Sequence, residues 1–153
     1  MSQRLKQLQQ LLQIKEQERQ QAYGQLIHAK EQFEQNKAKH EQLVGYRHDY
    51  LQQLDDLGKQ GGELGRLRNR IEFINHLDTA LIQLNTFLAQ LAKQRSKAEH
   101  HYQMTKRAEE GVSKLIERVQ KTELIKLQRQ EQKESDEYAQ KQWYSRNNHD
   151  QVE

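Results

Sequence analysis

Apolar residues recur at alternating steps of four and three through the first third of the chain. This row starts at Met1 and Leu5 and ends at Leu54 and Leu57. A sustained heptad of this kind predicts a coiled-coil helix, because steps of three and four place every member on one helical face. Polar members of the row weaken a coil but favour a single register. These are Lys15, Arg19, Asn36, His40 and Arg47.

Two overlapping apolar rows follow between residues 64 and 119. The first includes Leu67, Ile71 and Ile74, and the second runs from Leu77 to Val119 at heptad spacing. The two steps that join Ile71, Ile74 and Leu77 are each of three residues, which predicts a stammer that locally overwinds the coil. The rows leave open which face of this helix meets its partner.

Four of the seven glycines lie close together between the two apolar segments, at Gly58, Gly61, Gly62 and Gly65. A helical Gly costs about 1 kcal/mol relative to Ala, so the cluster predicts a break in the helix. We therefore expect an all-α fold, a long two-helix antiparallel coiled coil, or helical hairpin. A fold about residue 61 brings Tyr50 near Ile71 and Arg47 near Asp78. The expected segments are a first helix at 1–57, an apex at 58–65, a longer helix at 66–143 that overhangs beyond about residue 121, and a frayed tail at 144–153.

Composition agrees with a narrow helical seam. Hydrophobic residues make up 33% of the 153 residues, against about 45–50% in a typical globular domain. Charge is nearly balanced, at 25 basic and 22 acidic residues, and the dispersed net charge of +3 argues against a nucleic-acid partner. The chain has no Cys and no long apolar stretch, so we expect no disulfide, no direct membrane insertion and a cytoplasmic location.

No residue pattern in this chain is typical of catalysis. His100 and His101 are adjacent, and neighbouring helical residues point about 100° apart, so the two cannot share one metal ion. The glycine-rich apex lacks the spacing of a phosphate-binding loop. A two-helix fold also offers no enclosed pocket. We expect no enzymatic activity, no metal and no cofactor.

A surplus apolar row lies between Ile71 and Leu91. Its members are Phe73, Leu77, Ala80, Leu84, Phe87 and Leu91. One partner helix cannot cover this row and the Ile71–Ile74 row along their full length. Either the supercoil drifts from one row to the other and leaves nothing exposed, or part of the row faces outward as a docking strip for another protein. The residues of that strip would be Phe73, Leu77, Ala80 and Leu84.

Three stretches of the chain resemble the FliJ family, the small coiled-coil component of the bacterial flagellar type III export apparatus. They are residues 45–51 with their spaced tyrosines, residues 71–81 with Phe-Ile followed by Leu and Ala, and residues 134–139 with an Asp-Glu-Tyr-Ala terminus. Their order and spacing extend the resemblance over nearly the whole chain.

The resemblance implies a non-catalytic protein that is similar to the gamma-subunit stalk of rotary ATPases. Such a stalk inserts its terminal end into the hexameric ring of the export ATPase FliI. It also contacts the cytoplasmic part of the export gate protein FlhA, and it binds and recycles substrate chaperones. The implied setting is flagellum biogenesis, motility and chemotaxis. The location would be the cytoplasm, peripheral to the inner membrane through the export apparatus.

Particular residues follow from the resemblance. The gate contact would be Phe73, Leu77, Ala80 and Leu84, where Leu84 replaces the His of the family. This row coincides with the surplus apolar row, which favours the docking-strip interpretation. The start of the first helix and the tail around Asp136, Glu137 and Tyr138 would engage the ATPase ring.

Two other functions share this architecture. One is the equivalent stalk of a virulence-type injectisome, and the other is a generic coiled-coil scaffold that dimerises. We expect a monomer, and a stable dimer at micromolar concentration would favour the scaffold.

Overall fold

The computed structural model describes the backbone of residues 2–152 and the side chains of residues 2–148. Two α-helices account for nearly all of this backbone, α1 at Gln3–Lys59 and α2 at Leu64–Val152, and residues 2–152 include no strand. The predicted all-α fold with two long packed helices is confirmed. The chain divides into two compact units, and each contains a part of both helices. We refer to residues 17–106 as the hairpin unit, and to residues up to 16 and from 107 onward as the terminal unit.

The turn between the helices is shorter than the predicted apex at 58–65. Gly58 lies in the last turn of α1 and Gly65 in the first turn of α2, so only residues 60–63 lie between the helices. Gly61 has a φ of 67°, a left-handed conformation that favours Gly after a helix. The Gly62 N–H then donates to the Leu57 carbonyl at 2.9 Å, which satisfies one of the last helical carbonyls. A Cβ at Gly62 would lie only 3.1 Å from Leu57 Cδ2, so a larger residue here would require the Leu57 side chain to shift slightly.

Polar groups cap the start of each helix. The Ser2 Oγ accepts a hydrogen bond from the Leu5 N–H at 3.2 Å, as expected of a serine N-cap. The Glu63 carbonyl accepts from the N–H groups of Arg66 and Leu67, at 3.1 and 3.2 Å. These bonds fix where the two helices begin.

Within the hairpin unit, the predicted seam of α1 is confirmed. Ala22 and Leu26 are buried, and Leu43, Leu54 and Leu57 are partly buried, whereas most residues between these heptad positions are exposed. The residues of α1 that face α2 are therefore those spaced three and four residues apart in the predicted row.

The seam of α2 follows one uninterrupted heptad, and the predicted stammer is wrong. Ile71 is 47% exposed, so it lies outside the seam. The heptad position before Ile74 is occupied by Arg70, which is partly buried and donates a hydrogen bond from Nη1 to Gln53 Oε1. The aliphatic stem of an Arg can lie along an apolar seam while its charged end reaches water. The seam residues of this region are Leu67, Arg70, Ile74, Leu77, Leu81, Leu84, Leu88 and Leu91.

Contacts between the helices fix an antiparallel register in the hairpin unit. Arg47 Nε lies 2.5 Å from Asp78 Oδ1, so this predicted pair is confirmed. Farther from the turn, the Tyr23 and Tyr102 rings lie 5.5 Å apart. The Arg47–Asp78 pair is partly solvent-exposed, and such pairs contribute at most about 1 kcal/mol each. We infer that this pair specifies register more than it stabilises the fold.

The terminal unit has a small core of its own, in which Leu5 packs with Ile116 and Val119. Beyond this core every residue from 124 to 146 is exposed. α2 runs to Val152, past its predicted end at 143, and the predicted tail at 144–153 is helical over its described residues 144–152. Neither Gly nor Pro follows Gly111, and good helix formers such as Gln, Glu, Lys and Arg are abundant there, so nothing in the sequence stops the helix.

Replacing Gly45 by Ala should stabilise the hairpin unit. Gly45 lies inside α1, and apart from its chain neighbours and the backbone of its own helix no atom lies within 4 Å of the position that a Cβ would occupy. We expect a gain of about 1 kcal/mol in the free energy of unfolding, measured by chemical denaturation with circular dichroism. The matched control is Gly61→Ala, which should lose about 1–2 kcal/mol because Ala is strained at positive φ. A Gly45→Ala protein that is no more stable than the original would contradict this account.

Candidate docking site

The seam divides the four residues of the predicted docking strip. Leu77 is only 6% exposed and Leu84 is partly buried, because both occupy heptad positions of the α2 seam. Phe73 and Ala80 each precede a seam residue and lie beside the seam, where Phe73 is 44% exposed and Ala80 is partly buried. The prediction that the whole strip faces outward is therefore wrong for Leu77 and Leu84, which lie in the seam, and it holds for Phe73.

The outward row of α2 repeats every seven residues. It consists of Phe73, Ala80 and Phe87, and we call it the phenylalanine flank. Phe87 is 44% exposed, as Phe73 is. The sequence placed Phe87 in the surplus apolar row but not among the four docking residues. The heptad spacing from Phe73 and Ala80 was the signal that could have included it.

An aromatic contact from α1 holds Phe73 in place. The rings of Tyr50 and Phe73 lie 4.5 Å apart between centroids, with an angle of 35° between their planes. A ring pair of this kind is worth about 0.5–1.5 kcal/mol beyond the area that it buries. Together with the Arg47–Asp78 pair, this contact joins residues 45–51 of α1 to residues 71–81 of α2. Phe73 is thus fixed on one side and open to solvent on the other.

Two of the three residues of the phenylalanine flank, Ala80 and Phe87, lie in an uncharged part of α2. No Asp, Glu, Lys or Arg occurs between Asp78 and Lys93, although such residues make up 31% of the chain. Asp78 itself is paired with Arg47. A charged group of a partner would lose its hydration here without finding a counter-charge, which is costly. The part of the flank at Ala80 and Phe87 is therefore suited to an apolar, uncharged surface.

Two isoleucines of α2 in the hairpin unit are exposed but lie outside the phenylalanine flank. Ile71 is 47% exposed and Ile82 is 69% exposed. Each directly follows a seam residue, Arg70 or Leu81, whereas the residues of the flank precede one. At 100° per residue these isoleucines point away from the flank, which makes them matched positions for control variants.

The residues predicted to contact an ATPase ring lie in the solvent-exposed C-terminal part of α2. Asp136, Glu137 and Tyr138 are all exposed. Gln132 Nε2 donates to Asp136 Oδ1 at 3.0 Å, and Gln142 Nε2 donates to the Tyr138 hydroxyl at 2.9 Å. Three successive helical residues point about 100° apart, so they face different directions around the helix. A partner that contacts all three must reach around more than half of the helix.

The start of α1 lies in a basic part of the terminal unit. Ser2 and Arg4 line a shallow notch together with Leu115, Arg118 and Lys126 of α2, and Glu123 supplies an acidic group. No acidic residue lies in the first turn of α1, which leaves the positive end of the helix dipole uncompensated there. The notch would attract an acidic surface more than a basic one.

The described residues include no metal-binding arrangement, since no three His, Asp or Glu side chains gather closely enough to hold an ion. Within residues 2–152, neither helix contains a segment that is both long enough and apolar enough to cross a membrane.

The chain matches a known protein family. The model of the family described as Flagellar FliJ protein matches residues 4–148, which is nearly the whole chain. Comparisons with curated proteins and with solved structures gave no significant match. The match spans both helices and includes Phe73, Ala80, Phe87 and the exposed residues 136–138.

Exchanging Leu77 for Ala should destabilise the hairpin unit more than exchanging Phe73 for Ala. Leu77 is buried in the seam, where a Leu→Ala change costs about 2–4 kcal/mol. Phe73→Ala loses mainly the Tyr50 ring contact, about 1 kcal/mol. Chemical denaturation of the two variants side by side measures the difference. Equal losses, or a larger loss for Phe73→Ala, would show that the seam has been assigned to the wrong row.

Proposed function

This chain belongs to the flagellar FliJ family, a family of flagellar protein export, and on that basis we propose that it is a non-catalytic stalk of the export ATPase ring. In this role it links the hexameric ATPase FliI to the export gate protein FlhA, and it binds and recycles substrate chaperones. The family match over residues 4–148 is the observation that carries the proposal. The two-helix fold and the exposed surfaces of each unit support it.

The exposed end of α2 supports the stalk role. Every residue from 124 to 146 is exposed, so this part of the helix is open to a partner on all sides. A surrounding ring can contact Asp136, Glu137 and Tyr138 together, whereas a flat partner cannot. The start of α1, with Arg4 beside Arg118, adds a basic surface for acidic groups of the ring.

The phenylalanine flank supports a contact with the cytoplasmic part of FlhA. Phe73 and Ala80 provide the direct contact in this proposal, and Leu84 lies at its edge. Leu77 acts from within the seam, because its burial holds the neighbouring Phe73 at the surface. Tyr50 stacks on Phe73 and restricts the ring before the partner arrives. Such preorganisation reduces the entropy that binding costs.

The remaining parts of the proposal concern setting and assembly. The protein works as a monomer in the cytoplasm, held at the cytoplasmic face of the inner membrane through the export apparatus. Its role there is in flagellum biogenesis and hence in motility. Sedimentation separates this function from that of a dimerising scaffold, because a stable dimer at micromolar concentration would favour the scaffold.

The gate contact is tested by Phe73→Ala. Removing a half-exposed aromatic anchor should weaken binding to the cytoplasmic domain of FlhA by about tenfold, as expected of a residue worth about 1.4 kcal/mol. Calorimetry or surface plasmon resonance measures the affinity. Ile71→Ala is the control, since Ile71 is similarly exposed but lies outside the phenylalanine flank. If both variants bind as tightly as the original protein, the gate contact is elsewhere.

The stalk role is tested by deleting residues 125–153. The deletion leaves the core of Leu5, Ile116 and Val119 in place, so circular dichroism should show a folded protein with an unchanged melting transition. Stimulation of FliI ATP hydrolysis should be lost, because the deleted segment carries Asp136, Glu137 and Tyr138. A milder variant with all three replaced by Ala should lower the stimulation without shortening the helix. Full stimulation by the truncated chain would refute the assignment of the tail.

A further inference from the structure

We propose that Phe87 is an additional contact residue of the gate-binding surface, which therefore extends a full heptad beyond the Phe73–Leu84 row. The inference rests on the proposed function, because it assumes that FlhA occupies the phenylalanine flank. It adds a residue that neither the sequence nor the family resemblance assigned to the contact.

The helix places Phe87 in line with the residues proposed for the gate contact. It follows Ala80 by seven residues, as Ala80 follows Phe73. Seven residues complete two turns with a drift of only about 20°, and the supercoil of a heptad coil removes that drift. At about 1.5 Å per residue, the flank extends roughly 21 Å from Phe73 to Phe87.

Burial distinguishes Phe87 from its neighbours in the seam. Leu84 and Leu88 occupy the seam positions on either side and are partly buried, whereas Phe87 is 44% exposed. Phe73 has the same exposure, although Tyr50 packs on its ring. The two phenylalanines thus offer similar amounts of apolar surface at the two ends of the flank. A partner that lies along the flank from Phe73 past Ala80 reaches Phe87 next.

The chemistry around Phe87 indicates what kind of partner fits. Residues 79–92 carry no charge on any side of the helix, and their polar members are Thr, Asn and Gln. The matching surface is therefore an apolar strip without charged groups. A helix that is apolar beyond its seam is normally covered on more than one face. In this proposal the gate protein FlhA covers Phe87, because the proposed gate contact already lies on the same flank.

A second copy of this chain is a poorer occupant. Two half-exposed rings and one Ala supply on the order of 200 Å² of apolar surface, well below the roughly 800 Å² per partner that a stable interface buries. A contact of this size suits a transient partner that must also be released.

The test compares three variants of the full-length chain for binding to the purified cytoplasmic domain of FlhA. Phe87→Ala should weaken binding by about five- to tenfold, comparable with Phe73→Ala. Ile82→Ala should bind as the original protein does, although Ile82 exposes a larger fraction of its side chain than Phe87. Thermal melting should be nearly unchanged for Phe87→Ala. Phe87→Leu keeps an apolar side chain at this position and should restore part of the affinity.

Binding by the Phe73→Ala and Phe87→Ala variants distinguishes a failure of the Phe87 contact from a failure of the gate contact as a whole. If Phe73→Ala weakens binding and Phe87→Ala does not, the inference is overturned and the gate contact remains. If neither variant weakens binding, the proposed gate contact itself fails. Sedimentation of the original chain and of Phe87→Ala tests whether a second copy of this chain binds the flank instead. A dimer that is lost on removal of Phe87 would overturn the inference in favour of self-association.

Discussion

Burial of the heptad seam between α1 and α2 is the interaction on which the hairpin unit depends. With 33% of its residues hydrophobic, the chain relies on a narrow apolar seam between two helices and not on a globular core. Seam residues such as Leu26, Ile74 and Leu91 supply that burial. Side chains that stay exposed after the seam has formed are therefore the natural candidates for contact with other proteins.

The register of the seam decides which residues those are. A shift of one residue along α2 turns a side chain by about 100°, which is enough to move it from the seam to the flank. Leu77 lies in the seam, whereas Phe73 and Phe87 each lie one residue before a seam position. Of the flank residues, Ala80 and Phe87 lie within the uncharged segment from 79 to 92. One register thus accounts for both the stability of the unit and the composition of its exposed face.

The sequence predicted the parts of the fold in which the apolar residues follow one heptad row without a competing row. The α1 row and the Arg47–Asp78 pair follow from steps of three and four counted from the turn. The α2 register near the turn was not predictable in this way, because Ile71 and Leu77 both match a seam and only one row can be buried. The correct seam row passes through Arg70. A charged residue is not recognised as a seam member from sequence, although its aliphatic stem can pack there. This error also explains why Tyr50 was expected near Ile71 when its ring lies on Phe73.

Chemical labelling of single cysteines tests the account most directly, because the natural chain contains no Cys. Three variants, Phe73→Cys, Leu77→Cys and Phe87→Cys, would be treated with a maleimide under native conditions, and the labelling rates would be compared with those in denaturant. The account predicts rapid labelling at positions 73 and 87 and strong protection at position 77. Labelling of position 77 as fast as that of position 73 would contradict it, because the seam would then not separate Leu77 from the phenylalanine flank.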